Sequence, residues 1–432
     1  MTRRWGSILR PLASSFYIEY DVAMKVWIKL LIGSILGILL GFLVPEHQRF
    51  FESLAWLEQL VLRIGRYAVV PLLVFSLTIG MYELRHDKQF WPFVFKNLLL
   101  IAGVSVLVIF IGVFAAYIFP PSRIPILAEE QVEIITLNAA DNITELFPWN
   151  MLSVLTGEGM YLLPVCVFAF FMAMGLSYDK NYSKSVIFLV DSLSRIFYHI
   201  MSFFIETLGF LMIALAAYWA IRFRDVVQAE IYKNLIGMLG VLCVVLVFIV
   251  FPLLLLFLKP RVNPWLVLYG NAGPAITAFF SGDMYFSLPV QMRHAKENFG
   301  IKRKSNVISL SLFGTFCRAG SAMVAVVAFI VIVNSYSSLG IPVTEIISMS
   351  FRALIISFVL ARHPGNGAYV ALAVLCAGYG RGFEQGYLIL KPMAFYLIAA
   401  GTFIDVMIAS FAAYATARIS GYAGEKHAEK FI

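Results

Sequence analysis

The chain has 432 residues, of which 61% are hydrophobic and only 13% charged, with a mean hydropathy of +0.85. Soluble globular chains carry about 25% charged residues, so this composition excludes an ordinary soluble fold and points to a polytopic membrane protein. The net charge of +8 does not imply a nucleic-acid partner, because cytoplasmic loops of membrane proteins collect Lys and Arg.

Residues 1–24, with Arg3, Arg4, Arg10, Glu19 and Asp21, read as a cytoplasmic N-terminal segment. The first apolar run is long enough to span and lacks a small-residue cleavage site, so no cleavable signal peptide is expected. Spans of about 20 apolar residues are predicted at 25–45, 62–82, 97–119, 150–176, 196–220, 235–258, 306–334 and 392–417. Such long unbroken runs are unlike the short alternating strands of a closed barrel. Residues 120–147, with Glu129, Glu130, Glu133, Asp141 and Glu145, form an acidic extracytoplasmic loop. Cys166, Cys243, Cys317 and Cys376 fall in apolar segments without metal or disulfide spacing, and read as packing thiols. With the N-terminus inside, the inside loops hold the larger share of Lys and Arg; both termini are therefore expected in the cytoplasm, with 421–432 as a tail.

Two apolar segments are interrupted. Trp265 to Phe280 is followed by Ser281-Gly282-Asp283 and a return arm, Tyr285 to Met292. Phe351 to Ala361 is followed by Arg362-His363-Pro364-Gly365-Asn366-Gly367 and a return arm, Ala368 to Ala377. These arms are shorter than a crossing. Lys259, Arg261, Arg293 and Lys296 flank the first pair and place its ends on the cytoplasmic side; the second pair opens from the opposite face. Each is followed by a full span, which makes an inverted repeat. Irregular backbone at membrane depth survives only where protein or a cavity satisfies it, and interrupted segments in matching halves point to a transporter binding site. Ordinary helices kinked at Gly and Pro are the alternative.

At these residues the chain resembles the dicarboxylate/amino acid:cation symporter family, which has the glutamate-transporter fold. The carriers of the resemblance are Ala278-Phe279-Phe280-Ser281-Gly282-Asp283 through Leu288-Pro289-Val290, the tip Pro364-Gly365-Asn366-Gly367, Arg66 through Leu72, Pro148-Trp149-Asn150 through Phe168, and Asn263-Pro264. The resemblance implies an all-α polytopic protein of eight spanning helices and two re-entrant hairpins. Residues 25–258 would be mainly scaffold and trimerisation spans, including some transport helices, and 259–420 the transport core. It further implies a homotrimer in a bacterial inner membrane, no organic cofactor, and sodium or a proton as coupling ion.

The departures bear on function. Asp283, Met284 and Tyr285 stand where the family has tip serines. Cys317-Arg318-Ala319-Gly320-Ser321 aligns with the Asn-Met-Asp-Gly-Thr signature. In the last span Asp405 aligns with the family's first Asp, so its Arg-Thr pair falls on Ile408 and Ala409, its Asn on Ala412 and its final Asp on Thr416. The sodium positions thus align with Cys317, Ala319 and Thr416, which lack carboxylates suited to a hard cation. The substrate positions implied are Asp283, Met284, Tyr285, Thr315, Arg318, Arg362, His363, Gly365, Asp405 and Ala409.

Arg318 lies mid-span, where a charge costs about 2.5–3.5 kcal/mol on insertion scales. It is expected to face the core and to pair with Asp283, Asp405 or a substrate carboxylate. Its guanidinium either replaces the charge of bound sodium or belongs to a structural ion pair. Asp283 either meets a substrate amine, a cation or Arg318, or caps the return arm. Asp405 either meets a substrate amine or serves Arg318. Arg362 either contacts an anion or snorkels outward, and His363 titrates near neutrality if unperturbed. Glu206 reads as structural, with proton coupling the alternative; Arg63 and Arg66 read as lying near a membrane face. The leading function is elevator-type secondary transport of an amino acid or carboxylate with non-classical coupling. The alternative is a degenerate transporter that senses a ligand without uptake. No catalytic constellation or phosphate loop suggests an enzyme.

Overall fold

The computed structural model describes residues 24–432, apart from 44–47, 126–138, 157–160, 179, 229, 259–261, 337–341, 381, 425–428 and 430. The expected N-terminal segment therefore lies, but for Met24, outside the described residues, as does much of the acidic loop. Among the described residues there is no strand, and eight helices are long and apolar enough to cross a membrane. The protein is an all-α, multi-pass integral membrane protein.

Helix α1 (Val26–Leu43) packs along α8 (below) through small residues. A Cβ on Gly33, Gly37 or Gly41 would lie 2.0, 2.4 or 2.7 Å from the carbonyl oxygens of Gly209, Ile213 and Ala217. Only glycine permits this backbone-to-backbone approach. Helix α2 (Gln48–Arg66) is amphipathic, with Leu54, Val61 and Gly65 buried. It ends at a turn over Tyr67 and Ala68, and α3 (Val69–His86) continues. The span expected at 62–82 is thus the centre of a longer, jointed element. Pro71 sits in the first turn of α3, where its missing N–H costs nothing.

Helix α4 (Phe90–Ile118) follows, then the short α5 (Ala139–Thr144) and α6 (Ser153–Thr156). The span expected at 150–176 is only α7 (Leu163–Tyr178), 16 residues long. Pro164 sits in its first turn, where the missing N–H costs nothing. Helix α8 (Lys180–Gln228) has 49 residues, far more than 196–220. Helix α9 (Lys233–Leu258) carries a π-turn at Leu246–Val250. Pro252, two residues on, cannot donate to the carbonyl four residues back and crowds it, which widens the turn.

The first hairpin comprises α10 (Pro264–Gly270), α11 (Ala272–Ser281) and α12 (Met284–Glu297). Asn263 caps α10, its Oδ1 accepting from Trp265 N–H at 3.0 Å, with Pro264 at the favoured first position. Gly282 adopts φ +60°, the left-handed geometry that ends α11. At the base, Asn298 Nδ2 donates to Gly270 O at 2.8 Å, joining the two arms. The end of the tail folds back on this base: Phe431 is buried against Tyr269 and Phe299, and Ile432 N–H donates to Asn298 Oδ1 at 2.9 Å.

The span expected at 306–334 is two helices, α13 (Arg303–Phe316) and α14 (Ala319–Tyr336), parted at Cys317-Arg318. Helix α14 is buried on all sides from Ala319 to Val333, the mark of a central helix. The second hairpin begins with α15 (Val343–Val359), extended by a 3₁₀ turn to Arg362. This 20-residue arm is long enough to cross, because the apolar run starts at Pro342 and not at Phe351; the expected short arm is corrected here. The return arm α16 (Gly367–Tyr379) has 13 residues and cannot span. Helix α17 (Ala394–Ile419) lies against α14, α13 and α11, with α4 also on α14. Helices α1, α3, α7 and α8 pack together, with α3 also against α13 and α1 against α11.

Candidate functional site

The two hairpin tips meet beside the break between α13 and α14. Met284 N–H donates to Pro364 O at 3.1 Å, and the Tyr285 hydroxyl donates to Ala361 O at 2.5 Å. Thr402 of α17 donates to Gly282 O at 3.0 Å. Asp283 fulfils its capping role: its Oδ1 accepts from Phe286 N–H at 2.8 Å, while the same carboxylate pairs with Arg66.

Arg318 occupies the helix break and is 0% exposed. Its Nε lies 3.1 Å from Asp405 Oδ2. Its Nη2 donates to Pro364 O at 3.2 Å, His363 O at 3.4 Å and Ser321 Oγ at 3.4 Å. Asp405 accepts three hydrogen bonds, from Gly320 N–H (2.7 Å), Ser321 N–H (3.2 Å) and the Ser321 hydroxyl (2.6 Å). Its carboxylate therefore caps α14, where free N–H groups and the helix dipole favour negative charge. Such a buried charge is tolerable because it is both paired and hydrogen-bonded. Arg318 Nη1 has no hydrogen-bond partner in the protein. Gly367 makes room for the guanidinium, since a Cβ there would lie 2.7 Å from Nη2.

Asp283, Met284, Tyr285, Arg318, Gly365 and Asp405 thus gather at one place. Of the two aspartates expected as partners of Arg318, Asp405 lies beside it, while Asp283 pairs with Arg66. Arg66 does not stop at a membrane face but reaches the tips, and Gly365 is fitted to it, a Cβ there falling 3.4 Å from Arg66 Nη2 and 2.9 Å from Asp283 Oδ2. Arg362 points away, 44% exposed on its side chain, and pairs with Glu145 at 2.8 Å. His363 is half-buried. Glu206 pairs with Lys29 of α1 at 2.5 Å and Arg293 of α12 at 2.6 Å.

Four aligned positions carry side chains that are apolar or already engaged within the protein. The Thr315 hydroxyl donates to Ser311 O at 2.8 Å and the Thr416 hydroxyl to Ala412 O at 2.9 Å; both turn back on their own helices. Thr416 also lies about 16 Å along α17 from Asp405, at 1.5 Å per residue. Ala409 offers no polar side chain, and Cys317 Sγ faces Ser105 Oγ at 3.7 Å. Among the described residues, no group of three or more His, Cys, Asp or Glu could hold a metal ion. The sequence reading missed Ser321 as the hydroxyl that binds Asp405, although it ends the aligned signature, and Arg66, whose only signal is a charge breaking an apolar run.

Comparisons with known proteins agree with this architecture. The profile of the sodium:dicarboxylate symporter family matches residues 26–419. The chain is 21% identical over 416 residues to the proton/sodium-glutamate symport protein of Geobacillus stearothermophilus, covering 94% of this chain and 96% of that one. It is 24% identical over 384 residues to the serine/threonine transporter SstT of Enterococcus faecalis, covering 88% and 85%. A match to the proton/sodium-glutamate symport protein of Bacillus subtilis, 24% identical, spans 46% of this chain and 47% of that protein. These relatives are transporters, and nothing among them supports a sensor without uptake. With its helices, hairpins and nearly its whole length accounted for, the chain belongs to the sodium:dicarboxylate symporter family, whose members are cation-coupled symporters of amino acids and dicarboxylates.

Proposed function

We propose that this protein is an elevator-type secondary transporter for a small solute with no net charge, such as a neutral amino acid, held between the hairpin tips. The observation that carries this reading is the buried Arg318–Asp405 pair in the break between α13 and α14. Relatives are named for proton, sodium and glutamate or for serine and threonine. Here a fixed guanidinium sits in the break whose aligned sodium positions lack carboxylates, and Asp405 is already filled by Arg318 and the start of α14. Multi-sodium coupling is therefore disfavoured, and proton coupling or exchange takes its place.

The charge balance supports the substrate class. Arg66 and Arg318 are each matched by an aspartate, Asp283 and Asp405, so the tips hold no surplus positive charge for a second carboxylate. The unpartnered Nη1 of Arg318 suits one carboxylate or carbonyl oxygen. In this reading the early spans form a trimeric scaffold in a bacterial inner membrane, both termini are cytoplasmic, and the hairpins move with α13, α14 and α17.

The test is uptake of labelled serine, threonine, glutamate and succinate into proteoliposomes under a sodium gradient, a pH gradient, or neither. Uptake or exchange of a neutral amino acid that survives replacement of sodium by choline is expected. Strict sodium dependence would overturn the coupling, and a preference for glutamate or succinate the substrate class.

A further inference from the structure

Helix α12, the return arm of the first hairpin, belongs to two hydrophobic cores at once. Tyr285 and Leu288 pack into the main core, whereas Phe286 and Val290 pack with Leu54, Val61 and Leu208 in a smaller one. The contact with α2 is shaped in detail. A Cβ on Gly65 would lie 2.1 Å from Phe286 Cε2, so the ring sits in a notch that only glycine provides. One residue on, Arg66 crosses to Asp283 at the hairpin tip and also lies against Gly365 of the second tip. Asp283 does not need Arg66 in order to cap α12, because Phe286 N–H already serves the cap. A largely buried arginine in a membrane protein is expensive and calls for a role.

We propose that Gly65 and Arg66 form a seat on α2 that holds both hairpin tips in one position relative to α2, and that leaving this seat is the step that begins the transport stroke. Arg66 is a positioning residue in this account: it acts on the tips through Asp283 and Gly365. The notch and the ion pair are independent contacts with the same outcome, so disturbing either one shifts the same equilibrium between seated and unseated states. The proposal rests on the transporter reading for the purpose of the motion, while the seat itself is a claim about conformation.

The experiment measures the distance between spin labels at Trp56→Cys on α2 and Val343→Cys at the start of the second hairpin, both on exposed side chains. The background is the full chain with Cys166, Cys243, Cys317 and Cys376 replaced, reconstituted in lipid. Arg66→Gln and Gly65→Ala are each expected to enlarge a second distance population at least fivefold over the parent. Gly65→Ala with Phe286→Ala restores the space, and Arg66→Asp with Asp283→Arg restores the pair; both doubles are expected to return toward the parent distribution. Unchanged distributions in Arg66→Gln and Gly65→Ala overturn the seat, as does failure of both doubles to reverse any shift. A shift that reverses in the doubles, in a parent with no uptake of any substrate, upholds the seat and overturns the transporter reading.

Discussion

The two hairpins share a plan but are held by different means. In the first, the return arm is buried from Met284 to Met292 and tied at tip, middle and base. Asp283 caps it, Gln291 Nε2 donates to Val406 O at 2.8 Å, and Asn298 closes the base onto Gly270. In the second, the long arm leaves Ile347, Phe351 and Ile355 exposed, and its tip is gripped through carbonyls at 361, 363 and 364 by Tyr285 and Arg318. Withdrawing the second tip breaks neutral acceptors from side chains that stay behind, and Arg318 keeps Asp405. Withdrawing the first strands a buried carboxylate. The difference assigns fixity to the first hairpin within its core and local opening to the second.

The largest expected effect comes from the group that grips the second tip and pairs with Asp405. Arg318→Ala leaves Asp405 buried and unpaired, at a cost of about 3–5 kcal/mol, and should lower the unfolding temperature in detergent sharply. Arg318→Met combined with Asp405→Leu should lose much less, and an equal loss would mean that the pair is not the cause. Next, Asp283→Ala removes the cap of α12, worth about 1 kcal/mol, and leaves Arg66 without its carboxylate; amides at 284–288 should lose protection in hydrogen exchange. Asp283→Asn, which can still cap, should keep most of that protection.

Smaller still, Tyr285→Phe deletes one hydrogen bond onto the second tip, about 1 kcal/mol. Exchange at 360–367 should quicken roughly fivefold while 284–292 stays unchanged. If the first hairpin loosened instead, the comparison would fail. Thr402→Val removes the single bond from α17 to Gly282 O and should loosen the first tip by less than 1 kcal/mol or so, because the cap, Gln291 and Asn298 remain.

Much of this was legible in the sequence. Apolar runs located seven of the eight helices long enough to cross, and Ser281-Gly282-Asp283 and Pro364-Gly365-Asn366-Gly367 located the tips, because turn chemistry interrupts helical patterning locally. The burial of Arg318 followed from its distance to either end of an apolar run. Its helix break did not, since Cys317, Ala319 and Gly320 continue the apolar pattern and the interruption depends on Asp405 capping the second half from another helix. Arg66 was misplaced for the same reason: its partner lies far along the chain, and charge near a helix end reads as interfacial. Thr315 and Thr416 aligned with ligand positions, yet hydroxyls with free rotation satisfy themselves on the preceding turn. The start of α15 was missed because the run before Phe351 is less apolar than the arm that follows.

The seam between α1 and α8 has a practical use. With Gly33, Gly37 and Gly41 laid against backbone oxygens, no side chain separates the two backbones at these three positions, and a shift by one residue would drive methylene groups into peptide planes. Their spacing is thus locked like two marks on one ruler. Probes fixed across this seam should give a constant length in every condition, and that length is the internal calibration against which any displacement elsewhere in the molecule can be measured.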